Sequence, residues 1–187
     1  MYGLGFITLF MAPFGWILCG FPPLESFLQL DKLVSLPSAY GLVYGTISGL
    51  MMIWFTSNQE ATTSFQQQIR MVQSMRLTIL DCIFLSICAG FGEEIVFRIA
   101  LQQWLHPLLT AVIFVAVHGY LRPKNWNTTK YGLLVLLFSI GLGYAVDSEG
   151  LWFCIIAHSA YDFVIFIFWS RFATNPTAEC VNDSFFE

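Results

Sequence analysis

The stretch "GFGEEIVFR", Gly90 to Arg98, sets two adjacent glutamates and an arginine inside an apolar part of the chain. An ionisable side chain in a membrane helix costs about 2.5–3.5 kcal/mol on insertion scales, and such residues face the bundle interior and mark functional sites. Glu94 and Arg98 stand at i and i+4 with the acid first, the favoured order for a helical ion pair. Glu93 projects about 100° around the helix from Glu94 and needs water, a proton or another partner. Two further groups of catalytic type lie in apolar segments: His118 in "FVAVHGY", and His158 with Asp162 in "IIAHSAYD". Phe114 and His118 share one helix face, as do His158 and Asp162. Carboxylates and imidazoles are the side chains that exchange protons in acid–base catalysis. Three such sites on three helices, each with its own insertion cost, could share one polar cavity. The alternative is a buried Glu94–Arg98 salt bridge with an inert, protonated Glu93 and histidines satisfied in the core. Asp81 and His106 are weaker candidates, the one near a helix end and the other beside the His106-Pro107 break.

The surroundings of these groups follow from composition. Hydrophobic residues make up 57% of the 187 and charged residues only 11%, against about a quarter charged in soluble domains. With a mean hydropathy of +0.68, the chain reads as an integral membrane protein. Its net charge of −4 arises from 12 acidic and 8 basic side chains with no basic run, which argues against nucleic acid as a partner and directs the search to the bilayer. Cys19, Cys82, Cys88 and Cys154 lie in apolar segments and Cys180 in the polar tail, a spacing that fits neither a disulfide scaffold nor a zinc ribbon.

The elements that must position the polar groups are helices, because about 20 apolar residues are needed to cross the hydrocarbon core. Apolar segments run from Met1 to Phe21, Ala39 to Phe55, Leu77 to Leu105, Leu108 to Leu121, Tyr131 to Val146 and Leu151 to Trp169. The first lacks the basic start and small-residue cleavage site of a signal peptide. Thr56 to Gln73 forms a polar connector with interfacial-helix character. The expectation is an all-α, polytopic membrane bundle of about six transmembrane helices. It forms one domain over 1–187, with a catalytic core at about 77–169 and a polar tail at 171–187. Arg70, Arg76, Arg122, Lys124, Lys130 and Arg171 fall on one side of this bundle and Lys32 on the other, so both termini are expected in the cytoplasm. Trp16, Trp54, Trp104, Trp126, Trp152 and Trp169 fall near helix ends, as in an interfacial belt. The stretch Asp147-Ser148-Glu149-Gly150 reads as a loop.

At these positions the chain resembles a known family. "EEIVFR" is similar to an EExxxR motif, "FVAVH" to FxxxH and "HSAYD" to HxxxN/D, in the order found in the CPBP family of intramembrane proteases, which includes the CAAX proteases and the Abi bacteriocin-processing proteins. The resemblance covers roughly Leu77 to Trp169. It implies peptide-bond hydrolysis within the membrane, the eukaryotic members removing the last three residues of prenylated CAAX proteins. By motif matching it makes Glu93 the general base and His118 its partner in activating water, with His158 and Asp162 lining the oxyanion site and Glu94, Arg98 and Phe114 in support. Many members carry Asn at the position of Asp162; an ionised aspartate cannot donate a hydrogen bond, so Asp162 is either protonated or orients His158.

The resemblance implies no required cofactor. HExxH is absent and a zincin site is unsupported, although Glu93, His118, His158 and Asp162 could in principle hold zinc. No GxSxG elbow is present. The expected partners are the bilayer and a membrane-associated peptide or protein, and so short a chain fits a prokaryotic plasma-membrane or organellar member. The rival reading is a non-catalytic transporter or immunity scaffold whose buried charges serve proton relay or packing. One geometric condition follows. Counted at about 1.5 Å per residue, Glu93 lies well into the third segment and His118 near the cytoplasmic end of the fourth. Upright helices would hold them apart unless one tilts or bends at Gly90 and Gly92.

Overall fold

The computed structural model describes residues 2–57 and 63–171, and every regular element in them is helical. In order these are α1 (Tyr2–Leu9), α2 (Met11–Leu18), α3 (Leu24–Leu28), a 3-10 turn (Leu30–Lys32), α4 (Leu36–Ser57), α5 (Thr63–Ser74) and α6 (Ile79–Glu94). A π-helical segment (Ile95–Ala100) and a 3-10 turn (Leu101–Gln103) prolong α6, and α7 (Pro107–Val117), α8 (Trp126–Glu149) and α9 (Leu151–Arg171) follow. Cys180 and the tail beyond Arg171 lie outside the described residues.

The helices start where their sequences supply caps. At α6 the Asp81 amide donates to Thr78 Oγ1 at 3.2 Å and the Thr78 amide to Asp81 Oδ2 at 2.9 Å, a reciprocal capping box. At α7 the Leu108 amide donates to His106 Nδ1 at 3.3 Å, with Pro107 in the first turn, where its missing N–H costs nothing. Asp81 and His106, both weighed above as chemical candidates, are thus helix caps. Asn125 caps α8 by accepting from the Thr128 amide at 3.2 Å.

Among the described residues three helices are long and apolar enough to span a bilayer: Leu36–Ser57, Thr128–Glu149 and Leu151–Arg171. Tyr2–Leu18 and Pro107–Val117 are shorter apolar helices. Of the about six spans expected from hydropathy, the three long helices alone meet that length and hydropathy as single α-helices among the described residues, because apolar content does not register where a helix stops. The segment from Leu108 ends as a helix at Val117, and Gly119 turns the chain with φ +71. Its 11 residues rise only about 16 Å. Conversely, α8 carries Asp147 and Glu149 within its last turn rather than in a loop, and reverses into α9 through Gly150 alone at φ +90.

The packing that fixes α9 is a seam of small residues. Gly41, Gly45 and Gly49 recur every fourth residue along α4, and a Cβ on them would meet Phe153 backbone, Ala157 backbone and the Val164 side chain respectively. Such close approach is how membrane helices associate where lipid offers no hydrophobic contrast. Three of the tryptophans expected in a belt are exposed: Trp54, Trp104 and Trp126, at 70%, 63% and 61%. The Trp16 and Trp152 indoles donate to the carbonyls of Pro22 and Leu28, each at 2.8 Å. Trp169 is buried in the core formed by α4 to α9.

Candidate active site

The turn at His106 brings the motifs to one depth. Glu93 lies 13 residues before it (106 − 93) and His118 lies 12 after it (118 − 106), so a hairpin about this turn sets the two side by side. Counting from the opposite end of the segment gave them different depths. The helix does not break at Gly90 or Gly92, since α6 runs on to Glu94. These glycines admit neighbours: a Cβ on Gly92 would strike the Thr8 carbonyl of α1, and one on Gly90 would meet Ser159 and the Ile155 carbonyl of α9.

The adjacent glutamates face different surroundings. Glu94 is fully buried. Arg98 Nε donates to its Oε2 at 2.8 Å, and His158 Nδ1 lies 2.7 Å from its Oε1. Arg98 Nη2 donates in turn to Ser139 Oγ of α8 at 2.7 Å. The expected Glu94–Arg98 pair is therefore present, and it is also a bracket for His158. Paired with an arginine, Glu94 is an acceptor only, so Nδ1 carries a proton and Nε2 is turned the other way. His118, the C-cap of α7, is oriented by the same logic: its Nδ1 lies 2.7 Å from the Phe114 carbonyl, which only accepts.

Both free Nε2 atoms face Glu93. Its Oε2 is 3.5 Å from His118 Nε2 and 3.9 Å from His158 Nε2, and Asp162 Oδ2 is 3.6 Å from His158 Nε2. Phe114 fills the angle between the imidazoles, its ring 4.3 Å from His118 and 5.8 Å edge-on to His158. The Arg98 guanidinium stands 6.0 Å from the same ring. The four residues border a cavity of about 410 Å³ whose walls come from α1, α5, α6, α7, α8 and α9, mostly as apolar and aromatic side chains. Access is graded: the His118 and Asp162 side chains are 29% and 20% exposed, whereas those of Glu94 and Arg98 are wholly enclosed. Among the described residues no group of three or more His, Cys, Asp and Glu side chains is disposed to hold a metal ion, these four included.

Residues 75–164 match the family described as "Type II CAAX prenyl endopeptidase Rce1-like". This segment carries the pattern of the CAAX protease family. The match supports a CAAX-type intramembrane endopeptidase and implies a membrane-associated peptide as substrate. All three motifs, from Glu93 to Asp162, fall inside the matched segment. No curated protein and no solved structure gives a significant match.

The sequence alone did not single out four residues at this site. Ser139 anchors Arg98, and Tyr120, Tyr131 and Tyr161 line the cavity, with the Tyr120 ring stacked 5.7 Å from His118. Ser139 carried a weak signal as a hydroxyl in an apolar helix. The tyrosines carried none, since amphipathic rings are common in membrane segments.

Proposed function

We propose that Glu93 activates the water that cleaves the peptide bond, with His118 as its partner and without a metal ion. The observation carrying this reading is the convergence of both imidazole Nε2 atoms on Glu93 Oε2, at 3.5 and 3.9 Å. A water lodged against Glu93 and His118 gives one proton to the Glu93 carboxylate as its oxygen bonds to the scissile carbonyl carbon. The carbonyl oxygen becomes negative and is met by His158 Nε2–H, when the ring carries both protons, with Asp162 beside it as a protonated donor or an orienting group. Glu93 then passes its proton to the departing nitrogen as the C–N bond breaks, which leaves an acid and an amine. Glu94, Arg98, Ser139 and Phe114 act through His158 and His118 by fixing their rings. The apolar cavity wall suits a lipid-bearing or membrane-inserted peptide, of which the prenylated peptide in the family's description is one example.

Cleavage of a fluorogenic membrane peptide by purified protein tests this. Glu93→Gln keeps shape but loses the base, and its rate should fall by about 10²–10⁴-fold with the melting temperature retained; a chelator should leave the wild-type rate unchanged. A Glu93→Gln rate within tenfold of wild type, or chelator inactivation reversed by zinc, would sink the mechanism.

A further inference from the structure

The loop that follows His118 holds an arginine tied to its first residue. Gly119 turns the chain at φ +71, Tyr120 returns to line the cavity, and Arg122 comes two residues later. Arg122 is exposed, yet it is tied in place. Its amide donates to Thr129 Oγ1 at 3.2 Å, and the same hydroxyl donates to its carbonyl at 2.8 Å. Its Nε donates to the Gly119 carbonyl at 3.1 Å, which folds the guanidinium back beside the residue next to His118. Pro123 restricts the Arg122 backbone further. One of five N–H donors is spent on Gly119, and among the described residues no carboxylate lies within ion-pair distance of Arg122.

The field of the site gives this cation a role. Inside the site each basic group already faces a carboxylate, Arg98 and His158 at Glu94 and His118 at Glu93, so a substrate carboxylate finds its open partner at Arg122. An arginine fork held in advance beside the residue next to His118 matches a carboxylate in shape as well as charge. Lys124, Lys130, Arg76 and Arg171, at the same end of the bundle, are accounted for by the general excess of basic residues on cytoplasmic faces. Arg122 differs in having its side chain tied to the carbonyl of Gly119, next to His118. We infer that Arg122 is a specificity residue that binds a substrate carboxylate, either an Asp or Glu side chain or the free chain terminus, and so holds the peptide in one direction across Glu93. The inference rests on the endopeptidase reading above.

Three versions of one peptide test it: one with a free terminus and a Glu, one with the terminus amidated, and one with that Glu replaced by Gln. In micelles, wild type should show a KM about fivefold lower for the first than for at least one of the others, with kcat little changed, the size of a partly exposed charge-assisted contact. Loss of the preference on amidation identifies the terminus, and loss on Glu-to-Gln replacement identifies the side chain. Arg122→Gln should abolish the preference, Arg122→Lys should keep most of it, and Lys124→Gln should leave it intact. Survival of the preference in Arg122→Gln, or no preference in wild type, would overturn the inference. Fluorescence-polarisation binding of the same peptides gives the same comparison without turnover. If nothing is cleaved but binding still depends on the carboxylate and on Arg122, the hydrolytic reading fails and this one stands.

Discussion

Glu93 and Glu94 are chemically identical neighbours whose roles are separated by about 100° of helix rotation. Glu94 points to the enclosed side, where Arg98 and His158 take one oxygen each at 2.8 and 2.7 Å; Glu93 points to the cavity. The i,i+4 ion pair could be anticipated from spacing, but the His158 contact joins residues 64 apart in the chain and could not. That contact changes what a substitution at Glu94 does. Loss of the pair alone would affect stability alone. With His158 also held, Glu94→Gln should lower stability by about 3 kcal/mol, because Arg98 is left as a buried unpaired charge, and should also cut kcat by tenfold or more, because His158 Nδ1 loses its anchor. Thermal unfolding and single-turnover cleavage measure the two effects. A variant that is destabilised yet turns over at the wild-type rate at low temperature would return Glu94 to a purely structural role.

At the scale of elements, the site depends on where helices stop and how closely they approach. The π-helical segment from Ile95 carries Arg98 directly after the two glutamates, and such segments concentrate at functional sites. The shortness of α7 puts His118 at a helix end, where its Nδ1 can reach the Phe114 carbonyl while Nε2 stays free. The α4 glycines hold α9, and with it His158 and Asp162, against the bundle. Gly45→Val should therefore cost about 1–3 kcal/mol by overpacking, since its Cβ would fall on the Ala157 backbone, one residue before His158. The same change at Gly3, where a Cβ meets nothing within 4 Å, should leave the melting temperature unaltered. Equal melting temperatures for the two variants in detergent would remove the seam from this account.

For the molecule as a whole, charge and topology agree on one end. The Tyr2 hydroxyl donates to Asp81 Oδ1 at 3.2 Å; this sets the N-terminal end of the described chain at the start of α6, which Arg76 precedes, and α9 ends at Arg171. With Arg122, Lys124 and Lys130 joining α7 to α8, this end is expected on the cytoplasmic side. In intact cells a membrane-impermeant thiol reagent should label Lys32→Cys and spare Lys124→Cys until the membrane is opened. The reverse pattern would invert the orientation and leave the site geometry untouched.

The sequence by itself determined the solvent, the helical class and the identity of the polar residues, because insertion cost and i,i+4 spacing are local properties that each segment carries alone. It identified Glu93, Glu94, Arg98, His118, His158 and Asp162 for the same reason: charge in an apolar run is conspicuous without neighbours. The tertiary structure decided how many helices reach spanning length, that Glu93 and His118 share a depth, and that Glu94 holds His158. It also made Gly90 and Gly92 contact points and moved Trp169 from the interface to the core. These outcomes turn on distances between segments far apart in the chain, set by a turn at His106, a helix end at His118 and a glycine seam, and hydropathy is insensitive to all three.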